Sequence, residues 1–420
     1  MREMKNSGIE WIGEIPSDWS KNKTIRLFSV IGSGTTPKSD DENNFSGDIN
    51  WIQSGDINGG FLSFCKNQIS DEVLSKYSAL KVYKAPFIVI AMYGASIGNL
   101  SISNIDACVN QACCVLSETE NDFNYLFYAI KTAKDYLIRK AVGGGQPNIS
   151  QDTIKQLWLP QPSLEQQKKI ADFLDEKCAE IDTVIEKTKA TIEEYKKLKQ
   201  SVITQAVTKG IRPNRPMKDS GIEWIGEIPA DWDVKRGKAI LTLLEKPVRE
   251  TDSVITCFRD GQVTLRSNRR EDGFTFSLQE VGYQGIDVGD LVVHGMDGFA
   301  GAIGISDSRG KGTPVLNVMD STENKRYIMY YLRNMAYNGV FIALATGIRV
   351  RSCDTNWNKL KNLPYIIPSH SEQQEIVDYI DRRCSEIDEL IAKKTSLLSE
   401  LENYKKSLIY EYVTGKKEVK

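Results

Sequence analysis

The residues best suited to chemistry lie in an arginine-rich segment in the second half of the chain. The segment RDGQVTLRSNRREDG is short and rich in turn-forming residues, and it contains Arg259, Gln262, Arg266, Arg269 and Arg270. Arginine can grip a guanine edge with two hydrogen bonds or anchor a phosphate, and glutamine suits the adenine edge. This segment therefore predicts a contact with DNA. An ordinary solvated loop is the alternative.

A second candidate is the segment TGIRVRSCDTNWNK at 346–359, where Arg349, Arg351 and Asn356 follow a glycine. Its counterpart by position is VGGGQPNISQDT in the first half. There, glycine backbone could approach a phosphate and polar side chains could reach bases or backbone, which singles out Gly144, Gly145, Gln146, Asn148 and Ser150. The alternative for both segments is a structural turn that connects a domain to a helix.

The first half also offers polar residues beside the motifs GSGTTP and WIQSGDI, namely Thr35, Thr36, Lys38 and Gln53. The stretch GSGTTPKS superficially resembles a phosphate-binding loop. It lacks the Gly-Lys-Ser/Thr ending that such a loop requires, so it is interpreted as a recognition or turn segment.

Catalytic motifs are missing from the sequence. It has no Asp-Pro-Pro-Tyr or Asn-Pro-Pro-Phe loop to hold a base amino group, and no convincing glycine-rich cofactor loop follows a strand. His294 and His370 are the only histidines, which argues against histidine-based acid-base chemistry and a histidine-rich metal site. We expect a non-catalytic chain that binds no metal and no cofactor.

The bulk composition is that of an ordinary globular protein. A length of 420 residues predicts two or three domains, and a net charge of −2 means that any DNA contact must come from local patches. None of the eight cysteines falls in a Cys-x-x-Cys pair, so we expect reduced, mostly buried thiols. No apolar run is long enough to cross a membrane and no signal peptide is evident, so a cytoplasmic location is expected.

An internal repeat organises the whole chain. The block KNSGIEWIGEIPSDW, Lys5 to Trp19, returns as KDSGIEWIGEIPADW, Lys218 to Trp232. The block EQQKKIADFLDEKCAEID at 165–182 returns with one deletion at 372–388, and from Ile170 onward the spacing is 206 residues. The stretches between the blocks, 24–158 and 237–364, are almost unrelated. The pattern indicates a tandem duplication in which a shared frame carries two different inserts.

Each repeat ends in a segment with the pattern of one long amphipathic helix. Residues 164–208 contain no Gly or Pro, and their apolar residues recur at three- and four-residue steps. Ser163 supplies an N-cap and Gly210 a C-terminal stop. Such a helix cannot bury its apolar stripe alone, so the two copies are predicted to pair antiparallel in a coiled-coil-like arrangement. The alternative is two helices docked on their own domains.

The two inserts have the pattern of α+β domains. Strand-like runs occupy 83–94, 281–289 and 289–306, and helix-like stretches occur near 123–139 and 326–336. The tryptophans at 11, 19, 224 and 232 recur in both copies, so we expect them to pack the frame rather than to stack on bases.

Several motifs together are typical of one protein family: GIEWIGEIPxDW, PSLEQQKKIADFLDEKCAEID and its echo, WIQSGDI, GASIGN, VNQA and GGGQPNIS. With them, the chain resembles type I restriction-modification specificity (HsdS) subunits over its full length. The resemblance implies an α+β, pseudo-twofold tandem repeat: a target recognition domain at 1–158, a spacer helix at 159–213, a second target recognition domain at 214–364 and a second spacer helix at 365–420. Each recognition domain would read one half of a bipartite, asymmetric site in double-stranded DNA.

The resemblance also implies partners. Two adenine methyltransferase subunits would dock on the helices, with restriction and translocase subunits when these are present. S-adenosylmethionine, ATP and Mg would belong to those partners and not to this chain. Two other functions stay open, a fused DNA-modifying enzyme and a coiled-coil scaffold whose globular inserts bind other proteins.

Overall fold

The computed structural model describes residues 2–38, 41–141, 147–269, 281–344 and 355–419. The chain folds into two compact units, one formed by Met1–Lys187 with Leu397–Lys420 and the other by Thr188–Ser396. Within the described ranges, no helix combines the length and the apolar character that a membrane crossing requires.

The first unit is a mixed α/β structure. Its described short helices are α1 Thr24–Leu27, α2 Asp71–Lys76, α3 Phe123–Thr132, α4 Lys134–Arg139 and α5 Gln151–Lys155. Its described strands are β1 Met4–Ile9, β2 Gly13–Pro16, β3 Ser20–Lys23, β4 Val30–Gly32, β5 Ile49–Ile52, β6 Phe61–Leu62, β7 Asn67–Ile69, β8 Phe87–Ala91, β9 Leu100–Ser103, β10 Ala107–Val109, β11 Cys113–Ser117 and β12 Trp158–Gln161.

A five-stranded sheet in the order β4-β11-β8-β9-β6 forms the centre of the first unit. Every residue of β8, β9 and β11 is buried, which explains their continuous apolar or small side chains. A three-stranded sheet, β10-β5-β7, lies beside it, and β1-β2 and β12-β3 form two separate pairs. Burial raises the pKa of Cys113 and of Cys114 to about 12, so these thiols stay protonated at neutral pH. The described cysteines are free and buried, as predicted.

The second unit is also a mixed α/β structure, but its main sheet differs from that of the first unit. Its described short helices are α7 Lys325–Tyr337, α8 Val340–Ala343 and α9 Trp357–Leu360. Its described strands are β13 Met217–Asp219, β14 Glu227–Pro229, β15 Asp233–Arg236, β16 Leu241–Leu243, β17 Ile255–Cys257, β18 Val263–Leu265, β19 Gln284–Ile286, β20 Leu291–His294, β21 Ile303–Ile305, β22 Gly310–Gly312, β23 Leu316–Ser321 and β24 Pro364–Ile367. The main sheet is antiparallel, in the order β16-β23-β20-β21.

Two long helices, α6 Leu164–Lys209 and α10 His370–Val413, lie in the two segments predicted to be helical, and α6 has the predicted ends. The Ser163 hydroxyl accepts a hydrogen bond from the Gln166 amide (3.3 Å), and Gly210 takes a φ of +77° just after α6. An N-cap oxygen and a left-handed glycine are the expected signals at these two ends.

The long helices pair antiparallel in each unit, as predicted. In the first unit, Phe173 of α6 contacts Tyr412 of α10 with ring centroids 4.4 Å apart, and Asp182 binds Lys405 at 2.6 Å. Residue numbers along α10 therefore fall as those along α6 rise, which defines an antiparallel pair. In the second unit, Lys199 binds Asp388 at 2.6 Å, and Ala206 packs in one apolar cluster with Ile376.

Equivalent contacts fasten a tyrosine of each insert to the segments around the repeated helices. In the first unit the buried Tyr125 hydroxyl donates to the carbonyl oxygens of Pro160 (3.1 Å) and Val413 (3.2 Å). In the second unit the buried Tyr327 hydroxyl donates to the carbonyl oxygens of Ile366 (2.9 Å) and Val207 (3.4 Å). The carbonyl positions correspond at the 206-residue spacing, so the shared frame is a three-dimensional feature as well as a sequence repeat.

The frame tryptophans differ in burial. Trp19 and Trp232 are fully buried, as predicted, and Trp11 is partly buried against the first unit's core. Trp224 is the most exposed of the four, with 42% of its surface accessible, so its role in packing the frame stays a prediction.

Candidate nucleic-acid interface

The segment that contains Thr35, Thr36 and Lys38 is fastened to the first unit's sheets. The Trp51 ring nitrogen donates to the Thr35 carbonyl oxygen (3.2 Å), and the Thr36 hydroxyl donates to the Gln111 side-chain oxygen (2.5 Å). The Lys38 side chain is exposed, although its backbone amide donates to the Tyr77 hydroxyl. Of these three residues, Lys38 therefore offers the freest side chain to a ligand.

Close packing at a glycine sets the path of this segment. A Cβ atom on Gly34 would lie 1.8 Å from the Val109 carbonyl oxygen, well inside van der Waals contact. The Ser33 hydroxyl donates to the Cys113 carbonyl oxygen (2.7 Å), and the Ser33 carbonyl accepts from Tyr83. The segment is thus a rigid turn on the sheet edge. Gln53, the fourth candidate of this half, forms a capping box with Asp56 and is half-buried.

Two candidates for DNA contact are helix caps. The Ser150 hydroxyl accepts from the Thr153 amide (3.0 Å) at the start of α5, and the Asn356 side chain accepts from the Lys359 amide (3.1 Å) at the start of α9. The two positions are 206 residues apart, so the same cap recurs in both units. Exposed Asn148 pairs through its backbone with Tyr93. The other candidates of these two segments lie outside the described residues: Gly144, Gly145, Gln146, Arg349 and Arg351.

The arginine-rich segment exposes its charges but holds two of them in ion pairs. Arg259 binds Asp297 (2.8 Å), and Arg269 binds Asp260 (2.7 Å) while its guanidinium lies 4.2 Å from the centre of the Phe258 ring. Exposed pairs of this kind contribute about 1 kcal/mol or less, so a phosphate could replace the carboxylate.

The other members of the arginine-rich segment differ in exposure. The Arg266 Nε atom lies 3.4 Å from the Thr256 hydroxyl, and the Gln262 side chain is exposed. Arg270 falls outside the described residues.

The histidines are positioned for structural roles. The His294 Nδ1 atom accepts hydrogen bonds from the backbone amides of Met296 and Asp297, and burial lowers the pKa of this ring, which keeps it neutral. The His370 side chain is 73% exposed at the start of α10. Among the residues that the structure describes, no group of His, Cys, Asp or Glu has the arrangement of a metal site.

Sequence reasoning missed one basic cluster, formed by Arg236, Lys238, Lys359 and Lys361 in the second unit. Strand β15 pairs with β24, and the Lys238 amide donates to the Lys361 carbonyl oxygen (2.7 Å). The two segments are more than a hundred residues apart, so no local pattern could have revealed the cluster.

Residues 16–194 match the protein family described as the type I restriction modification DNA specificity domain. Over this region the chain is similar to type I restriction-modification DNA specificity domains. A 242-residue stretch is 27% identical to the MjaIX specificity subunit of Methanocaldococcus jannaschii and covers 54% of this chain and 52% of that subunit. A 119-residue stretch is 32% identical to the MjaVIII specificity subunit of the same organism and covers 28% of this chain and 26% of that subunit. The chain thus spans about half the length, or less, of these curated specificity subunits.

Solved structures of specificity subunits share the fold. A chain from a structure of a type I restriction-modification system superposes with a TM-score of 0.68 at 13% identity and covers 95% of this chain and 98% of that one. The specificity subunit of Thermoanaerobacter tengcongensis superposes with a TM-score of 0.50, also at 13% identity, and covers 96% and 98%. The predicted fold class, two α+β domains joined by paired long helices, is therefore confirmed.

Proposed function

We propose that this chain is the DNA sequence-specificity subunit of a type I restriction-modification complex, and that each unit reads one half of a bipartite, asymmetric site. The observation that carries the proposal is a repeated frame that holds two differently built inserts. The first insert is built on a five-stranded sheet with parallel and antiparallel pairs, and the second on a four-stranded antiparallel sheet.

The frame contacts explain how two different readers can be held in the same way. Gln167 and Gln373 occupy equivalent positions near the starts of α6 and α10. Their side-chain oxygens accept from the amides of Asp122 and Asn324, the N-caps of α3 and α7, at 2.9 and 2.8 Å. These two contacts use only the frame and the N-cap of one helix, so they can be made by inserts that differ elsewhere.

The candidate contacts suit duplex DNA. Arginines in weak exposed pairs, such as Arg259 and Arg269, can exchange a carboxylate for a phosphate or a guanine edge. Exposed polar side chains such as Gln262 and Asn148 can reach base edges. Sequence selection would come from the inserts, and the frame would supply orientation.

The chemistry of the complex would belong to partner subunits. Two adenine methyltransferase subunits would use S-adenosylmethionine, and restriction subunits, when present, would use ATP and Mg to translocate and cut DNA. This chain would act as their targeting subunit and would be non-catalytic by itself. The neutral, backbone-bound His294 is consistent with that role.

A reconstitution experiment tests this proposal. The purified full chain is mixed with duplex DNA and S-adenosylmethionine, with and without the methyltransferase subunit. The chain alone is expected to bind the duplex without methylating it, and the mixture is expected to methylate adenine at a split motif. Methylation by the chain alone would indicate a fused enzyme. Absence of duplex binding in both samples would favour a protein-binding scaffold.

A further inference from the structure

A basic surface in the second unit has no assigned role. We propose that Arg236, Lys238, Lys359 and Lys361, called here the frame basic cluster, bind the phosphate backbone of duplex DNA. This inference rests on the proposed function and adds to it a set of contacts that orient the DNA without reading its sequence.

Strand pairing brings the cluster together. In the antiparallel pair β15-β24, Arg236 lies opposite Pro364, and its guanidinium donates to the Asn362 carbonyl oxygen (2.8 Å). Side chains alternate along a strand, so Arg236 points away from the face of Lys235, which binds the buried Glu323 (3.1 Å). The Arg236 and Lys238 side chains are exposed, and those of Lys359 and Lys361 are partly exposed.

The cluster differs from the ion-paired cations of its unit because it lacks carboxylate partners. Arg215, Lys246 and Arg309 each bind two carboxylates, and Arg212 and Arg326 each bind one. Within the described part of the chain, none of the four cluster residues has a carboxylate within salt-bridge distance. Four neighbouring cations without counterions repel one another, so an external polyanion would stabilise them.

Part of the cluster recurs in the first unit at equivalent positions. Strand β3 pairs with β12 in the same register, with Lys23 opposite Trp158. Lys23 corresponds to Arg236 and Lys155 to Lys361, so positive charge is kept at both positions. The Lys23 ammonium lies 5.3 Å from the centre of the Trp158 ring, and Lys155 approaches Asp152 only to 3.7 Å.

Composition and position favour phosphate over a protein partner. Lysine is depleted in protein–protein interfaces but is a regular phosphate ligand in protein–DNA complexes. The cluster also flanks the helix that Asn356 caps, next to the segment at 346–359 that the sequence predicts to contact DNA. Arg236 lies just outside the insert at 237–364, and the other three residues lie at its two ends, next to the frame. Phosphate contacts made there would be independent of base sequence.

The test measures how salt affects the binding of a short mixed-sequence duplex by the full chain. Each lost phosphate contact lowers the slope of log K against log salt by about 0.9, so Arg236→Ala/Lys238→Ala/Lys361→Ala is expected to lower it by about 2.7. Over a fourfold rise in salt, wild type should then lose about forty-fold more affinity than the variant, since four to the power 2.7 is about forty. The decrease in slope caused by the substitutions should be the same for a duplex that carries the recognised site.

Matched variants separate this outcome from a general charge effect. Arg382→Ala/Lys393→Ala/Lys394→Ala removes the same charge from α10 in the same unit and should leave the slope unchanged. Arg236→Lys/Lys238→Arg/Lys361→Arg should retain the wild-type slope, and thermal unfolding reports whether each variant is folded.

Two results would overturn the inference. A folded alanine variant with the wild-type slope would exclude phosphate binding by the cluster while leaving the proposed function intact. The same holds for an alanine variant that binds DNA like the wild type but no longer binds a protein partner. Absence of duplex binding by the wild-type chain would contradict the proposed function itself.

Discussion

Replacing Glu372 with alanine should strongly destabilise the second unit. Only 3% of the Glu372 side chain is exposed, and its carboxylate accepts hydrogen bonds from the Arg215 guanidinium and from the Trp232 ring nitrogen (3.1 Å). Arg215 is 12% exposed and also binds Asp231 at 2.6 Å. The substitution therefore leaves a buried guanidinium with one carboxylate instead of two and a buried indole N–H without an acceptor.

The magnitude follows from the burial. Removing one partner of a buried ion pair costs about 3–5 kcal/mol, and the remaining Asp231 contact favours the lower end, about 3 kcal/mol. For a unit of this size, each kcal/mol lowers the melting temperature by about 2–4 °C, so a decrease of about 6–12 °C is expected. Glu372→Gln should cost less, because the glutamine side chain has nearly the same shape and keeps one oxygen that can accept from the Trp232 ring nitrogen.

Thermal unfolding of the full chain, followed by calorimetry, measures the effect. The matched control is Glu375→Ala, three residues further along α10, which removes an exposed pair with Arg212 (54% and 47% exposed) and should cost about 1 kcal/mol or less. Equal melting temperatures for Glu372→Ala and Glu375→Ala would refute the assignment of Glu372 as a buried anchor.

Three further outcomes are expected. Lys246 and Arg309 lower the folded-state pKa of Asp287 to about 2, from an ordinary value of 3.8, so the stability that this contact adds is present above about pH 4 and is lost as the pH falls toward 2. Arg309→Ala should therefore flatten the decrease in unfolding free energy between pH 5 and pH 3, as measured by urea titration, and an unchanged profile would contradict this. Gly34→Ala should lower the melting temperature and weaken duplex binding, because its Cβ would collide with the Val109 carbonyl, whereas Gly55→Ala, with open space around it, is the control. Tyr327→Phe leaves the Ile366 and Val207 carbonyls without this donor and should cost about 1 kcal/mol in chemical unfolding, and a neutral effect would show that the contact adds no stability.

Local signals made the long helices predictable, whereas non-local pairing hid the topology of the inserts. Ser163 and Gly210 mark the ends of α6, and a continuous apolar stripe lies between them. By contrast, β6 pairs in parallel with β9, and β10 in parallel with β5, across loops that carry no register information. The antiparallel strand order of the second insert is equally absent from its short apolar runs.

The candidate DNA contacts likewise divide into residues that local sequence explains and residues that only strand pairing brings together. Ser150 and Asn356 are typical N-cap residues just before short helices, and capping accounts for the hydrogen bonds that they accept from the Thr153 and Lys359 amides. Whether they also contact DNA stays a prediction, as it does for the arginine-rich segment. The frame basic cluster could not be predicted because Arg236 and Lys361 become neighbours only when β15 pairs with β24.

The most direct measurement replaces residues 24–158 with the corresponding region of a relative of different specificity and determines the methylated motif by sequencing DNA from cells that carry the partner subunits. One half of the split motif is expected to change, while the other half and the unread spacing stay the same. A change in both halves together, or in neither, would contradict the assignment of one reader to each half-site.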